Sequence, residues 1–235
     1  MIEKHISSQF DAELREICAR VLEMGGLVEA QTVQALYALT NYSAESAEGV
    51  LRAEDRVNRM EVEIDTQLQS VIAMRQPAAS DLRLLFAVSK ASGNLERVGD
   101  EAARIARTAA RLMSSGVHTR LRLPVGDLAY EGELAIAQMR KALDAFARLD
   151  TEQALLVLKQ DDQIDQEFDG LMRKLITYMM EDARTISASI DLVFVAKAIE
   201  RIGDHAKNLA EAVIYVVKGE DVRHASVDEV ENVVR

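Results

Sequence analysis

The sequence predicts an all-α protein made of two tandem, sequence-related three-helix bundles, six long helices in all. Three observations carry that expectation. Helix breakers are scarce, with only two prolines, Pro77 and Pro124, in 235 residues. The apolar content is 49%, yet aromatics reach only 4% and Trp is absent. Such a core of Ala, Leu, Val and Ile suits helix-on-helix packing better than a β-sandwich. Finally, the second half of the chain repeats the first, the signature of a duplicated unit.

The elements follow from the punctuation. Breaks fall at Asn41-Tyr42-Ser43, Arg75-Gln76-Pro77, 115–126, Leu149-Asp150 and Thr185-Ile186-Ser187. Between them helices are expected at 3–40, 44–75, 79–114, 126–149, 151–181 and 188–218. Several exceed the mean helix of about 11–12 residues more than twofold, as bundles and coiled coils do. In the third helix Leu84, Val88, Ala91, Leu95, Val98, Ala102, Ile105, Ala109 and Leu112 alternate by four and three. In the sixth, Leu192, Val195, Ile199, Ile202, Ala206, Leu209, Val213 and Val216 do the same. These are the seams of left-handed helix packing. Asp150, with Gln153 three residues later, and Ser187 are the expected N-caps. Gly25 and Gly26 interrupt the first helix, where a kink or close helix approach is expected.

The repeat is explicit. Shifting 35–58 by 107 residues lays it on 142–165 without a gap, matching Ala35, Leu36, Ala38, Glu45, Ala47, Val50, Leu51 and Asp55 to identical residues. Around 95–106 the offset is 104. The expected division is 1–115 and 116–220 for the two bundles and 221–235 for a C-terminal tail, in which Asp221 and His224 are expected to be solvent-exposed.

Charge and composition narrow the function. A net charge of -11 argues against nucleic acid, whose phosphates need a basic surface, and favours cations or basic partners. Cys18 has no second cysteine to pair with and is expected as a small buried side chain. The opening Met1-Ile2-Glu3-Lys4-His5 is unlike a signal peptide, and no apolar run approaches the ~20 residues of a membrane span. A cytoplasmic protein is expected.

One motif stands out. Glu96-Arg97-Val98-Gly99-Asp100 and Glu200-Arg201-Ile202-Gly203-Asp204 occupy corresponding places in the two halves. Each sets two carboxylates four residues apart on one helix face, with a glycine that costs a helix about 1 kcal/mol relative to Ala. With Leu95 and Val98 on the seam, both carboxylates fall on the outer side, so a surface cluster is expected. If the second and third helices reverse near residue 77, Asn58 stands level with Glu96, and Asp55 with Asp100. In the second half Asp165 stands level with Glu200, and Asp162 with Asp204. Glu54 and Asp161 neighbour these groups. The bland alternative is a solvated polar face, with Arg97 and Arg201 as ion-pair partners. Hard oxygen donors otherwise suit Mg²⁺, Mn²⁺, Ca²⁺ or iron. The glycines point to a close helix or a bound ion.

Other chemistry is missing. No Glu-x-x-His pair of the di-iron type occurs, nor a phosphate loop, a nucleophile elbow or a Cys-x-x-Cys. His205, next to Asp204, is expected at the surface or in an interface. Nothing proposes a catalytic cycle, so no enzyme is expected.

These residues resemble the PhoU family of phosphate-signalling regulators. The resemblance is carried by the paired Glu-Arg-x-Gly-Asp motifs, by His5–Leu14, by Arg75–Arg83 (Arg-Gln-Pro-Ala-Ala-Ser-Asp-Leu-Arg) and by Val195–Glu211. It covers nearly the whole chain. It implies a cytoplasmic negative regulator of the phosphate-starvation response and of phosphate uptake, peripherally associated with inner-membrane partners. It implies as partners the phosphate-sensing histidine kinase and the ATP-binding subunit of the phosphate ABC transporter, and a homodimer. It implies metal ions (Mg, Mn, Fe or Zn) at Glu96, Asp100, Glu200 and Asp204. Asp55, Asp162 and Asp165 extend that set by geometry alone. Asn58 in place of Asp165 leaves the first site one charge short. The competing expectations are a carboxylate-metal storage protein or metalloenzyme on a helical bundle, and a scaffold with no metal.

Overall fold

The computed structural model describes residues 8–116 and 123–235. Six long helices form: α1 (Ser8–Asn41), α2 (Ala44–Arg75), α3 (Ala79–Ser114), α4 (Val125–Arg148), α5 (Thr151–Glu181) and α6 (Ile186–Lys218). A short seventh, α7 (Val227–Val234), follows. α1 packs on α2 and α3, and α4 packs on α5 and α6, so the chain is two tandem three-helix bundles. Part of the His5–Leu14 stretch, and His118, lie outside the described residues.

The turns explain the boundaries. α1 ends with Tyr42 in the left-handed region (φ 52°), and α4 ends with Leu149 in the same conformation (φ 50°). In the first turn the Ser43 amide donates back to the Ala38 carbonyl (3.2 Å); in the second the Asp150 amide donates to the Ala145 carbonyl (3.0 Å). Ser43 then caps α2 by accepting from the Ser46 amide, and Asp150 caps α5 by accepting from the Gln153 amide. The cap expected at Ser187 does not form. α6 starts at Ile186, after a single 3-10 turn over Ala183–Thr185. Thr185, at the N-cap position, instead donates its hydroxyl to the Asp182 and Tyr178 carbonyls (2.7 and 2.9 Å).

The two bundles share one hydrophobic core. α1 and α4 meet through a notch that occurs twice. A Cβ on Gly25 would stand 2.4 Å from Leu143 Cδ2, and one on Gly132 would stand 2.4 Å from Leu36 Cδ1. Under the repeat, Gly25 corresponds to Gly132 and Leu36 to Leu143. Each half thus receives the other's leucine where its own glycine leaves room. Close approach, rather than a kink, is what Gly25 provides.

α3 and α6 form the most extensive pairing and run antiparallel. Asn94 meets His205 and Asn208, Glu101 meets Arg201, and Arg111 meets Asp191. This order brings the two glycine motifs alongside each other at the middle of the molecule. The segment after α6 is more than a tail. Val222, Val230 and Val234 are buried, Ser226 and Glu229 form a capping box, and Glu231 pairs with Lys159 of α5 at 2.7 Å. Asp221 and His224 are exposed, as expected.

Candidate functional site

The motif glycines are packing devices. In the first half, Gln31 of α1 reaches across, and its Nε2 donates to the Val50 and Gly99 carbonyls (3.2 and 3.4 Å). A Cβ at Gly99 would lie 3.2 Å from Gln31 Oε1 and 3.3 Å from Val57 Cγ1. In the second half, Gln138 of α4 donates to the Val157 carbonyl and to Asp161 Oδ1 (both 3.3 Å). A Cβ at Gly203 would lie 3.1 Å from Gln138 Oε1 and 3.0 Å from Ile164 Cδ1. Gln31 and Gln138, and Val50 and Val157, are pairs under the repeat. The glycine therefore admits a buried glutamine and a neighbouring helix, not an ion.

Gly99 and Gly203 are buried, Glu96 and Glu200 partly so, and Asp100 and Asp204 exposed. The outward placement expected from the seam thus holds for the aspartates only. The reason is that α3 and α6 each pack against three long helices, so the buried face is wider than a two-per-heptad seam.

Four carboxylates gather in the first half. Glu96 is pushed above the usual carboxylate range by burial and by the charges of Asp100, Glu61 and Glu54, with Arg97 opposing. Glu61 is raised by burial and by Asp65 and Asp100. Glu54 is also held by Arg107 Nη2 at 2.6 Å. On α2 the charges that reach Glu96 are those of Glu61 and then Glu54, whereas Asp55, one position beyond Glu54, is exposed. Glu61, one helical turn beyond Asn58, escaped the sequence reasoning, because α2 carries too many acids for spacing to single it out.

The second half gathers more. Asp204 still reaches solvent, but its partial desolvation, then Glu200 and Asp161, lift it to about 6 against the opposing charge of Lys197, with Asp165 adding to the rise. Asp165 is raised by burial and then by Asp161 and Glu200, with Asp162 the weakest contributor. Asp162 itself is exposed. Asp161 is buried and takes Lys207 Nζ at 2.6 Å. Glu200 takes Lys197 Nζ at 2.6 Å on Oε1, while its Oε2 is buried without a partner.

Beneath these lies Glu131 of α4, which is 1% exposed. Neither of its carboxylate oxygens has a hydrogen-bond partner. Burial, then the charges of Glu200 and Glu167, push it to about 8. It was missed because a lone glutamate in an amphipathic helix carries no spacing signal.

The orphaned oxygens of Glu131 and Glu200 fit a hard cation, because a buried carboxylate needs a positive partner or a proton. As the side chains stand, no group of three or more His, Cys, Asp or Glu among the described residues has metal-holding geometry. Lys197 and Lys207 already serve as counter-charges, so a bound ion requires side-chain rotation.

The clusters are not remote from each other. Asp100 and Asp204 line one open groove of about 810 Å³ between α3 and α6, with Arg97, Arg201, His205 and Lys207. His205 lies in this interface, where its Nδ1 is 3.0 Å from Asn94 Oδ1. Burial, then Arg97 and Arg201, lower it to about 4, which keeps the imidazole neutral. Cys18 is partly buried, and its thiol is pushed up to about 11 by desolvation. Among the described residues no helix is long and apolar enough to cross a membrane.

Comparison with known proteins adds kinship to this geometry. The family model described as PhoU domain matches twice, over residues 21–109 and 130–213. The chain is 49% identical over 226 residues to the phosphate-specific transport system accessory protein PhoU homolog of Burkholderia sp, covering 96% of each chain. It is 44% identical over 230 residues to the phosphate-specific transport system accessory protein PhoU of Escherichia coli strain K12, covering 98% of this chain and 94% of the relative. The crystal structure of PhoU from Pseudomonas aeruginosa superposes with a TM-score of 0.82 at 41% identity, over 90% of this chain and 100% of that one. The phosphate transport system regulatory protein PhoU from Streptococcus pneumoniae gives a TM-score of 0.83 at 28% identity, over 91% and 99%.

Proposed function

The chain belongs to the PhoU family, and on that premise we propose that it is an accessory regulator of a phosphate transport system. It represses the phosphate-starvation response and phosphate uptake when phosphate is plentiful. The observation that carries this is kinship over nearly the full length with proteins named as phosphate-transport accessories. It acts as a helical adaptor between the phosphate-sensing histidine kinase and the ATP-binding subunit of the phosphate ABC transporter. It works from the cytoplasmic side, associates with those inner-membrane partners, and forms a homodimer. It catalyses no reaction.

Two divalent or transition metal ions belong to this proposal. Glu96, Asp100, Glu61 and Glu54 would hold one, and Glu200, Asp204, Asp161 and Asp165 the other. Asp55 and Asp162 stand outside these sets, where they can reach an ion only in a larger cluster. A bound ion supplies positive charge that relieves the mutual repulsion raising Glu96, Asp165 and Asp204. The protein's own residues do the rest. Gln31 and Gln138 fix the spacing of α1 and α4 to the motifs, and the groove between the clusters offers mixed charge to a partner.

Deletion of the gene in its host tests the regulatory role. Starvation genes should then be expressed in phosphate-rich medium, and normal repression there would count decisively against the proposal. Co-purification with the kinase separates an adaptor from a metal store, which would hold metal but capture no kinase.

A further inference from the structure

Three carboxylates are buried among the described residues of the two halves' packed helices: Glu101, Glu131 and Asp161. Glu101 is met by Arg201 at 3.0 Å and Arg104 at 3.3 Å, and Asp161 by Lys207 at 2.6 Å. Glu131 has no such partner. Both its oxygens are orphaned, and the buried Glu200 Oε2 nearby is orphaned too. The charges felt at Glu131 are those of Glu200 and Glu167, both negative.

Packing does not require a carboxylate there. Under the repeat, Glu131 corresponds to Met24, which is 0% exposed. The equivalence is secured on the next residue, since Gly25 and Gly132 make the same notch against Leu143 and Leu36. The same slot thus takes an apolar side chain in one half and an acid in the other. Burying an unpaired carboxylate is costly, whereas a methionine of similar length fits without cost. The position reads as a departure toward a ligand.

We propose that Glu131 is a floor ligand for a divalent cation in the second half, binding from the α4 side together with Glu200. The second site then holds its ion deeper than the first and excludes more water around it. The inference rests on the metal-binding reading above, and deepens it by assigning a ligand from a third helix and ranking the two sites.

The test uses the full chain, freed of metal by chelator and dialysis, and titrated with Mn²⁺ by calorimetry and by the electron paramagnetic signal of free Mn²⁺. Wild type should show a tighter and a weaker class of site. Glu131→Gln keeps the shape and removes the charge; it should weaken the tighter class at least about tenfold and leave the weaker one unchanged. Glu131→Met installs the residue that the first half already accommodates, so it guards against a folding failure and should act likewise. Circular dichroism checks the fold of both. Wild-type Mn²⁺ affinity in both variants overturns the inference and leaves the metal reading intact. A wild-type protein that binds no Mn²⁺ overturns both.

Discussion

In the first half, position 24 is a methionine, position 58 an asparagine and position 103 an alanine; in the second, the matching positions are Glu131, Asp165 and Lys207. Around them the scaffold is the same. A glutamine spans from the first helix of each bundle to a valine carbonyl of the second (Gln31 to Val50, Gln138 to Val157). A glycine of the third helix gives that glutamine room. The backbone-to-backbone turns before α2 and α5 agree to within a few tenths of an ångström. The difference teaches that duplication preserved what close packing constrains and let the charges drift. A substitution at a helix crossing collides with a neighbour, while one at the cluster changes only the electrostatic balance.

The largest expected break of this comparison is in metal binding. Replacing Glu96, Asp100, Glu200 and Asp204 together by Ala should abolish Mn²⁺ binding while helix content by circular dichroism stays intact. Glu200→Ala with Asp204→Ala should remove the tighter class, and Glu96→Ala with Asp100→Ala the weaker. Unchanged stoichiometry in the quadruple variant would remove these residues from the site.

Next comes pH dependence of the metal-free protein. The folded value for Glu131 is about 8, against an ordinary 4.5. Between those values the folded protein holds a proton that the unfolded chain has released. Glu131's contribution to stability is therefore full below pH 4.5 and falls as pH rises to about 8. A tenfold difference in proton affinity between the folded and unfolded chain is worth about 1.4 kcal/mol, so the loss is on the order of a few kcal/mol. Asp204, raised to about 6, adds in the same direction. Urea denaturation at pH 5 and pH 8 should show the loss in wild type and much less of it in Glu131→Gln. An equal loss in the two proteins would contradict the environment assigned to Glu131.

The notches between α1 and α4 are nearly, not fully, equivalent. The atoms of Leu36 would stand 2.4, 2.7 and 3.1 Å from a Cβ on Gly132, and those of Leu143 2.4, 3.0 and 3.3 Å from one on Gly25. Alanine gains about 1 kcal/mol of helix propensity, and overpacking costs about 1–3 kcal/mol. Gly132→Ala should therefore destabilise by up to about 2 kcal/mol and Gly25→Ala by somewhat less, as read from urea midpoints. A gain of stability in both would mean that the leucines turn aside freely.

The smallest effects concern Arg201 and Arg97, which occupy matched positions. Arg201 holds the buried Glu101, whereas Arg97 faces His205. Arg201→Ala should cost about 1 kcal/mol, limited because the arginine is partly exposed and Arg104 remains. Arg97→Ala should cost less than about 0.5 kcal/mol, yet raise the pKa of His205 above about 4 by removing a like charge. Proton NMR titration of the imidazole checks that change.

Much of the fold was legible because long helices announce themselves. All six expected spans agree with the structure to within two residues over the described residues, and α6 shows the largest shift, starting two residues early because Thr185 turns the chain in a 3-10 step before Ile186. α7 was overlooked, since eight residues with three buried valines nearby give too short a period to read. For the site, the motif, its duplication and the level of Asp165 with Glu200 were readable. The crowding of Glu96 by Glu54 and Glu61, with Asp55 left exposed, and the burial of an unpaired Glu131 were not.

What the sequence alone determined is what repeats along one helix: the seams, the turns, the duplication, and carboxylates four residues apart. These depend on the 3.6-residue period and on local capping, both set by neighbours in the chain. What only the tertiary structure decided is which acids share a space and which are left without a counter-charge. Glu54 and Asp55 differ by one residue, about 100° round the helix, and only the placement of α3 selects between them. Glu131 is an ordinary glutamate until α5 and α6 close over it, because desolvation depends on every helix that covers a group and not on its neighbours in sequence.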